Sequence, residues 1–144
     1  MTVASDMLDA SPVPIDFGVE AVAAAVEACM VSAQACTSCA NSSLAEEDVA
    51  AMRRCIALCD DCSDICTTTL RVLSRPFEAD HVITHRMLGA CVRMCSDCAE
   101  ECERHAAHHR HCAICAKACR ACARACGELL EAEAFQELEK LAGG

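Results

Sequence analysis

The stretch CIALCDDCSDIC, residues 55–66, places four cysteines at spacings of 4, 3 and 4 with no glycine or proline between them. Residues three and four positions apart lie on one face of an α-helix, so the pattern predicts a helix with one face made of thiols. Cysteine thiolates are soft metal ligands and redox-active groups. The stretch CVRMCSDCAEEC, residues 91–102, repeats the same spacing one helix and turn further along the chain.

The other cysteines follow the same helical periods, and all sixteen are predicted metal ligands. They are Cys29, Cys36 and Cys39 on a first helix; Cys55, Cys59, Cys62 and Cys66 on a second; Cys91, Cys95, Cys98 and Cys102 on a third; and Cys112, Cys115, Cys119, Cys122 and Cys126 on a fourth. Ala33 is expected to fill the inward gap on the first helix. Charged residues between the thiols, such as Asp60, Asp61 and Glu101, are expected to face water.

These helices predict an all-α fold, an antiparallel up-down-up-down four-helix bundle with a cysteine-lined core. Residues 1–15 are expected to be a flexible N-terminal leader, and residues 16–144 a single four-helix bundle domain that carries all the candidate metal ligands. The helices are predicted at about 17–42, 44–73, 77–107 and 109–141. Their predicted start signals are Asp16 as an N-cap, Ser43 with Glu46 as a capping box, and Pro76 in a first turn.

Antiparallel packing would turn the core into a tube of thiols. One end, the mouth, would lie near the histidine-rich turn HAAHHRH, residues 105–111. The other end would be closed by aliphatic side chains, namely Val22, Val26, Leu70, Leu73, Leu88, Leu129 and Leu130.

Composition disfavours several classes of function. The net charge is −10, which disfavours nucleic acid and anionic membrane surfaces as partners. The first sixteen residues contain no Lys or Arg and no apolar run, so neither a signal peptide nor a membrane segment is expected. We therefore expect a cytoplasmic protein with reduced thiols. No hydrolytic motif is present, and the C-x-x-C pairs lack a βαβ context, so no enzymatic activity is expected.

Charge favours Cu(I) as the metal. Replacing a thiol proton by Cu⁺ leaves a buried site neutral, whereas four thiolates around one Zn²⁺ leave about −2. No Lys or Arg is predicted at an inward position to compensate such charge. A zinc or general soft-metal buffer, an iron–sulfur electron-transfer protein and oxidation to disulfides remain as alternatives. A purely structural use of sixteen cysteines would leave the core poorly filled.

Four helices lined by C-x3-C-x2-C-x3-C, no export leader and a histidine-rich end resemble the cytosolic bacterial copper storage proteins. The resemblance covers about residues 17–130. It implies a bundle that fills its core with many Cu(I) ions, assembles as a homotetramer and contributes to copper tolerance. Copper ions would be the cargo, and a cytosolic copper chaperone is a candidate partner. The first helix departs from the pattern because it carries only three cysteines.

The mouth offers further candidate copper ligands. Continuing the inward series of the third helix past Cys102 reaches His105 and His109, and running the fourth helix back from its first cysteines reaches His108 and His111. The second helix similarly reaches Met52. Imidazole and thioether groups both bind copper, so these residues are expected to form a weaker, wetter ligand set that captures Cu(I), with His105 and His109 ahead of His108 and His111.

Overall fold

The computed structural model describes the backbone of residues 2–143 and the side chains of residues 2–132. Within residues 2–143 the chain forms five α-helices and no strand, so the all-α prediction is confirmed. The helices are α1 Val3–Asp9, α2 Val19–Leu44, α3 Arg53–Leu73, α4 His81–His105 and α5 Arg110–Gly143. The four long helices pack as a ring in which α2 contacts α3 and α5, and α4 contacts α3 and α5.

Contacts between neighbouring helices of the ring run in opposite numerical order, which is the pattern of antiparallel packing. Between α2 and α5 the contacting thiols are Cys29 with Cys126, Cys36 with Cys119, and Cys39 with Cys112. Between α3 and α4 they are Cys55 with Cys102, Cys59 with Cys98, and Cys66 with Cys95. The arrangement is consistent with the predicted up-down-up-down bundle.

The predicted capping box at Ser43 and Glu46 is wrong. Helix α2 continues to Leu44, a 3₁₀ turn spans Val49–Met52, and α3 begins only at Arg53. An N-cap residue needs a non-helical backbone, but Ser43 lies inside α2. Its side chain is fully buried, and its hydroxyl has no hydrogen-bond partner among the described residues.

Two other predicted helix starts are also wrong. Gly18, with φ 85°, takes the N-cap position of α2 instead of Asp16; glycine adopts this positive φ without a Cβ clash. Helix α4 begins at His81 rather than near Pro76. Its N-cap is Asp80, whose carboxylate accepts backbone hydrogen bonds at 2.9 and 3.1 Å from the first turn, so a side chain satisfies the free N–H groups there.

The predicted flexible leader contains a helix. Thr2 and Ser5 form a reciprocal capping box at the start of α1, and the Thr2 hydroxyl also donates to the Glu27 carboxylate on α2. Leu8 is 5% exposed and belongs to the core. A short helix is marginal alone, so this burial is what favours it. The division of the chain into domains at residue 15 stays a prediction.

By length and composition, α2 is apolar enough to cross a membrane. Its cysteine face is nevertheless buried against the other helices of the bundle, since Cys29 and Cys36 are 0% exposed. A core helix of a packed bundle passes the same hydropathy test. The packing therefore accounts for the apolar character of α2.

The predicted tube of thiols has one end closed by apolar side chains. All sixteen cysteines are at most 1% exposed. Below them the aliphatic residues Val22, Val26, Leu73, Leu88 and Leu129 are buried, and Leu70 and Leu130 are partly buried. Thr69 is also fully buried, and its hydroxyl donates a hydrogen bond of 2.8 Å to the carbonyl oxygen of Ile65. This end of the bundle is an ordinary apolar core.

Candidate metal centre

The helical spacing of 3 and 4 brings thiols from all four long helices together. All sixteen cysteines are free thiols, and contacting sulfurs lie 3.5–4.0 Å apart, well beyond a disulfide bond of about 2.05 Å. Two groups take one cysteine from each helix and hold their four sulfurs within 4.8 Å of one another: Cys29, Cys66, Cys91 and Cys122, and Cys39, Cys59, Cys102 and Cys115. A metal–thiolate bond of about 2.3 Å lets one ion join two sulfurs up to about 4.6 Å apart, so an ion can join the contacting thiols of different helices.

Ser32, rather than Ala33, fills the inward gap on α2. Its side chain is 0% exposed, whereas Ala33 is only partly buried. The Ser32 hydroxyl lies 3.6 Å from the Sγ atoms of both Cys119 and Cys66. The inward series of α2 is therefore thiol, hydroxyl, thiol, thiol, and the prediction of an alanine in the gap is wrong.

Close packing of the thiols raises the pKa of some of them and lowers the pKa of others. The surrounding thiols, Cys102 first, together with burial, raise the pKa of Cys98. Hydrogen bonds donated by neighbours, Cys115 and Cys119 foremost, instead lower the pKa of Cys36 despite its burial. Because a thiolate is stabilised only when its neighbours stay protonated, the metal-free core cannot ionise throughout. Many of these thiols are therefore protonated in the metal-free protein, and a metal ion that binds them must displace the proton.

At the mouth, His111 joins two thiols. Its Nδ1 lies 3.4 Å from the Sγ of Cys39 and 3.5 Å from the Sγ of Cys112, and these three ligand atoms form a compact group. Its Nε2 lies 3.2 Å from Glu46 on the turn after α2. Burial lowers the pKa of the imidazole, but the interactions with Cys39 and Glu46 outweigh it and raise the pKa overall.

The other mouth histidines face carboxylates. His105 lies 3.1 Å from Glu101, and His109 lies 3.4 Å from both Glu46 and Asp48. The rings of His105, His109 and His111 follow one another with centroids 6.5 and 5.5 Å apart. The structure thus places His111 against the thiols, whereas His105 and His109, which were ranked first, lie beside acidic groups.

Of the two remaining candidates, Met52 and His108, only Met52 lies where a wet ligand was not expected. Met52 is 0% exposed and belongs to the core, so its thioether is not part of a wet ligand set. His108 is exposed at the turn between α4 and α5. Both remain candidate ligands by residue type, but only Met52 is buried with the thiols.

Spacing alone did not reveal the acidic groups of the mouth. Glu101, expected to face water, is 5% exposed, because Arg54 and Arg104 at 3.5 and 3.3 Å and His105 surround its carboxylate. A buried carboxylate needs such partners. Arg54 lies on α3 and Glu101 on α4, so this cluster ties two helices together at the open end.

Comparison with known proteins places this site in a family. A family model described as copper storage protein, Csp, matches residues 19–131. The structure of the copper storage protein Ccsp from Streptomyces lividans loaded with 10 copper equivalents is 44% identical, with a TM-score of 0.88 over 90% of this chain and 99% of that chain.

A structure of a cytosolic copper storage protein from Streptomyces lividans with five coppers is 48% identical, with a TM-score of 0.77 over 78% of this chain and 93% of that chain. The uncharacterized cysteine-rich protein YhjQ of Bacillus subtilis is 33% identical over 93 residues, which span 65% of this chain and 81% of that protein. The family match covers most of the chain and includes every cysteine-bearing helix, so this chain belongs to the copper storage protein family.

Proposed function

We propose that this chain is a cytosolic, non-enzymatic store and buffer for Cu(I), and that it contributes to copper tolerance. The observation that carries the proposal is the core of sixteen buried thiols, built from all four long helices and bordered by histidines at one end. Thiolates that bridge adjacent soft ions can hold many Cu⁺ ions in such a space. The copper-loaded relatives from Streptomyces lividans support this assignment.

The charges of the core favour Cu⁺ over Zn²⁺. Among the described side chains, the buried polar residues are Ser32, Ser43, Thr69, Thr84 and Glu101, and no Lys or Arg is buried with the thiols. Zinc sites with four thiolates would therefore leave several uncompensated negative charges in the tube, which is costly. Exchange of each thiol proton for Cu⁺ keeps the core neutral.

Within this function, the sixteen cysteines act as the storage ligands. His111, Cys39 and Cys112 supply the outermost mixed site, at which an arriving ion exchanges solvent for imidazole and thiolate. His105, His108 and His109 act as weaker groups around it, and Met52 as a buried thioether. Homotetramer assembly and exchange with a cytosolic copper chaperone stay predictions.

An anaerobic titration of the reduced protein with Cu(I), against a competing chelator, tests the storage function. We expect an endpoint near one ion per thiolate, about sixteen in all, and a colourless product. A parallel titration with Zn²⁺ serves as the control and should end at about four. A Cu(I) endpoint no higher than the zinc endpoint would contradict the proposal and favour a general soft-metal buffer. A brown protein with bound iron would favour an iron–sulfur protein.

A further inference from the structure

Sulfur–sulfur contacts of 4.0 Å or less divide most of the thiols into two networks among the described side chains. The mouth network consists of Cys36, Cys55, Cys59, Cys98, Cys102, Cys115 and Cys119. The deep network consists of Cys29, Cys62, Cys66, Cys95, Cys122 and Cys126. Cys39 and Cys112 contact each other beside His111 at the mouth, and Cys91 lies within the deep group at slightly longer range.

The Ser32 hydroxyl lies between the two networks. It contacts Cys119 at 3.6 Å and Cys36 at 4.0 Å in the mouth network. It also contacts Cys66 at 3.6 Å and Cys62 at 3.9 Å in the deep network. Ser32 is fully buried, so its hydroxyl relies on these sulfurs as hydrogen-bond partners in place of water. At this level of the tube, α2 contributes a hydroxyl, whereas its neighbouring inward positions, Cys29 and Cys36, contribute thiols.

We propose that Ser32 divides the copper store into two Cu(I)–thiolate clusters, one formed on the mouth network and one on the deep network. This inference rests on the proposed storage function. A thiolate can bridge two soft ions and so join neighbouring clusters, whereas a neutral hydroxyl is a poor ligand for Cu(I) and a good hydrogen-bond donor to thiolate. Ser32 therefore stabilises the cluster edges on either side without linking them.

The boundary concerns the ligands that bound ions would share, and weaker sulfur contacts cross it. Hydrogen bonding with Cys119 and Cys36 raises the pKa of Cys62 across the boundary. Ions of the deep cluster must nevertheless pass a level of the tube at which α2 offers no thiolate. Removal of copper from the filled protein is thus expected to proceed in two phases, a faster one from the mouth cluster and a slower one from the deep cluster.

The test is removal of Cu(I) from the fully loaded protein by excess chelator, followed over time under anaerobic conditions. The wild type should release copper in two phases, and Ser32→Cys, which adds the missing thiolate, should merge them into one while raising the endpoint by about one ion. Ser32→Ala adds no ligand and should keep two phases. Ser43→Cys is the matched control, because it adds a buried thiol to the same helix at the mouth and should also keep two phases.

Three outcomes would overturn the boundary alone. They are a single phase in the wild type with a normal endpoint, two unchanged phases in a fully loaded Ser32→Cys variant, and a single phase in Ser43→Cys, which would mean that any added thiol has the same effect. A wild-type endpoint of only a few ions would instead overturn the storage function, and the boundary with it. Helical circular dichroism of every variant confirms that the bundle is intact.

Discussion

The Nδ1 atom of His111 lies 3.4 Å from the Sγ of Cys39, although the two residues are 72 positions apart in the chain. This contact brings imidazole and thiolate together at the end of the described thiol tube that lies opposite the buried aliphatic residues. Glu46 holds the other ring nitrogen at 3.2 Å, so the ring is oriented before any metal arrives. Oriented imidazoles make better metal ligands than free ones.

We predict that His111→Ala slows copper loading and chelator-driven removal by roughly tenfold, the lower end of the effect of losing an oriented ligand. Total capacity should fall by no more than about one ion. His108→Ala is the matched control, because His108 is exposed at the same turn, and it should behave as the wild type. Stopped-flow loading of both variants makes the comparison; equal rates in His111→Ala and wild type would show that the contact has no role in copper transfer.

Capacity should follow the number of inward thiols. Joint replacement of Cys59, Cys62, Cys95 and Cys98 by serine should lower the Cu(I) endpoint by about four ions. The fold should survive, because Ser32 already packs among four sulfurs with no loss of burial. The titration endpoint and the far-ultraviolet circular dichroism spectrum are the measurements, and an unchanged endpoint would mean that the tube is not the store.

Copper retention should weaken as the pH falls. Neighbouring thiols and burial raise the pKa of several core cysteines, with Cys102 the largest influence on Cys59 and Cys119 on Cys62. Such thiols hold their protons at neutral pH, so each Cu⁺ that binds one of them displaces a proton, and acid favours the protonated, metal-free form. Because other thiols, such as Cys36, have a lowered pKa, proton release on loading, measured by pH-stat, should stay below one per ion, and chelator competition should become easier as the pH falls. A copper affinity that increased as the pH fell would contradict the prediction.

Leu8 anchors the N-terminal helix, so its truncation should destabilise the protein without affecting the store. Leu8→Ala should lower the free energy of unfolding by about 2 kcal/mol, the low end for a buried leucine. Met7→Ala is a suitable control, because Met7 is 67% exposed on the same helix. Chemical denaturation measures the difference; a reduced copper endpoint in Leu8→Ala would show that α1 also shapes the tube.

The helical spacing of the cysteines predicted the class of fold and the inward direction of the thiols because both follow from one regular period. Burial then confirmed that direction for all sixteen. The gap on α2 could not be assigned in the same way. Ser32 and Ala33 both stand at helical distance from Cys29 and Cys36, and only the rotation of α2 against α3 and α5 decides which one points inward.

The surroundings of the mouth histidines could not be predicted for a related reason. Their order depended on where α4 ends and α5 begins, and HAAHHRH contains no glycine or proline to mark that point. The carboxylates that lie beside His109, those of Glu46 and Asp48, could not be predicted either. Asp48 is 61 positions from His109, so their pairing exists only once the two turns meet at one end of the bundle. Local spacing cannot show such a contact.

The aliphatic side chains at the closed end, among them Val22, Leu88 and Leu129, affect how much metal the bundle can hold and how fast that metal can exchange. With one end sealed, lengthening the helices by further thiol layers would increase the amount of metal held without enlarging the cross-section through which it meets the surrounding solution. The number of ions that the bundle holds and the area of the end at which ions exchange with solution are therefore independent of each other. We infer that the fraction of stored metal in direct contact with outside ligands declines as the bundle fills, which suits a reserve more than a carrier.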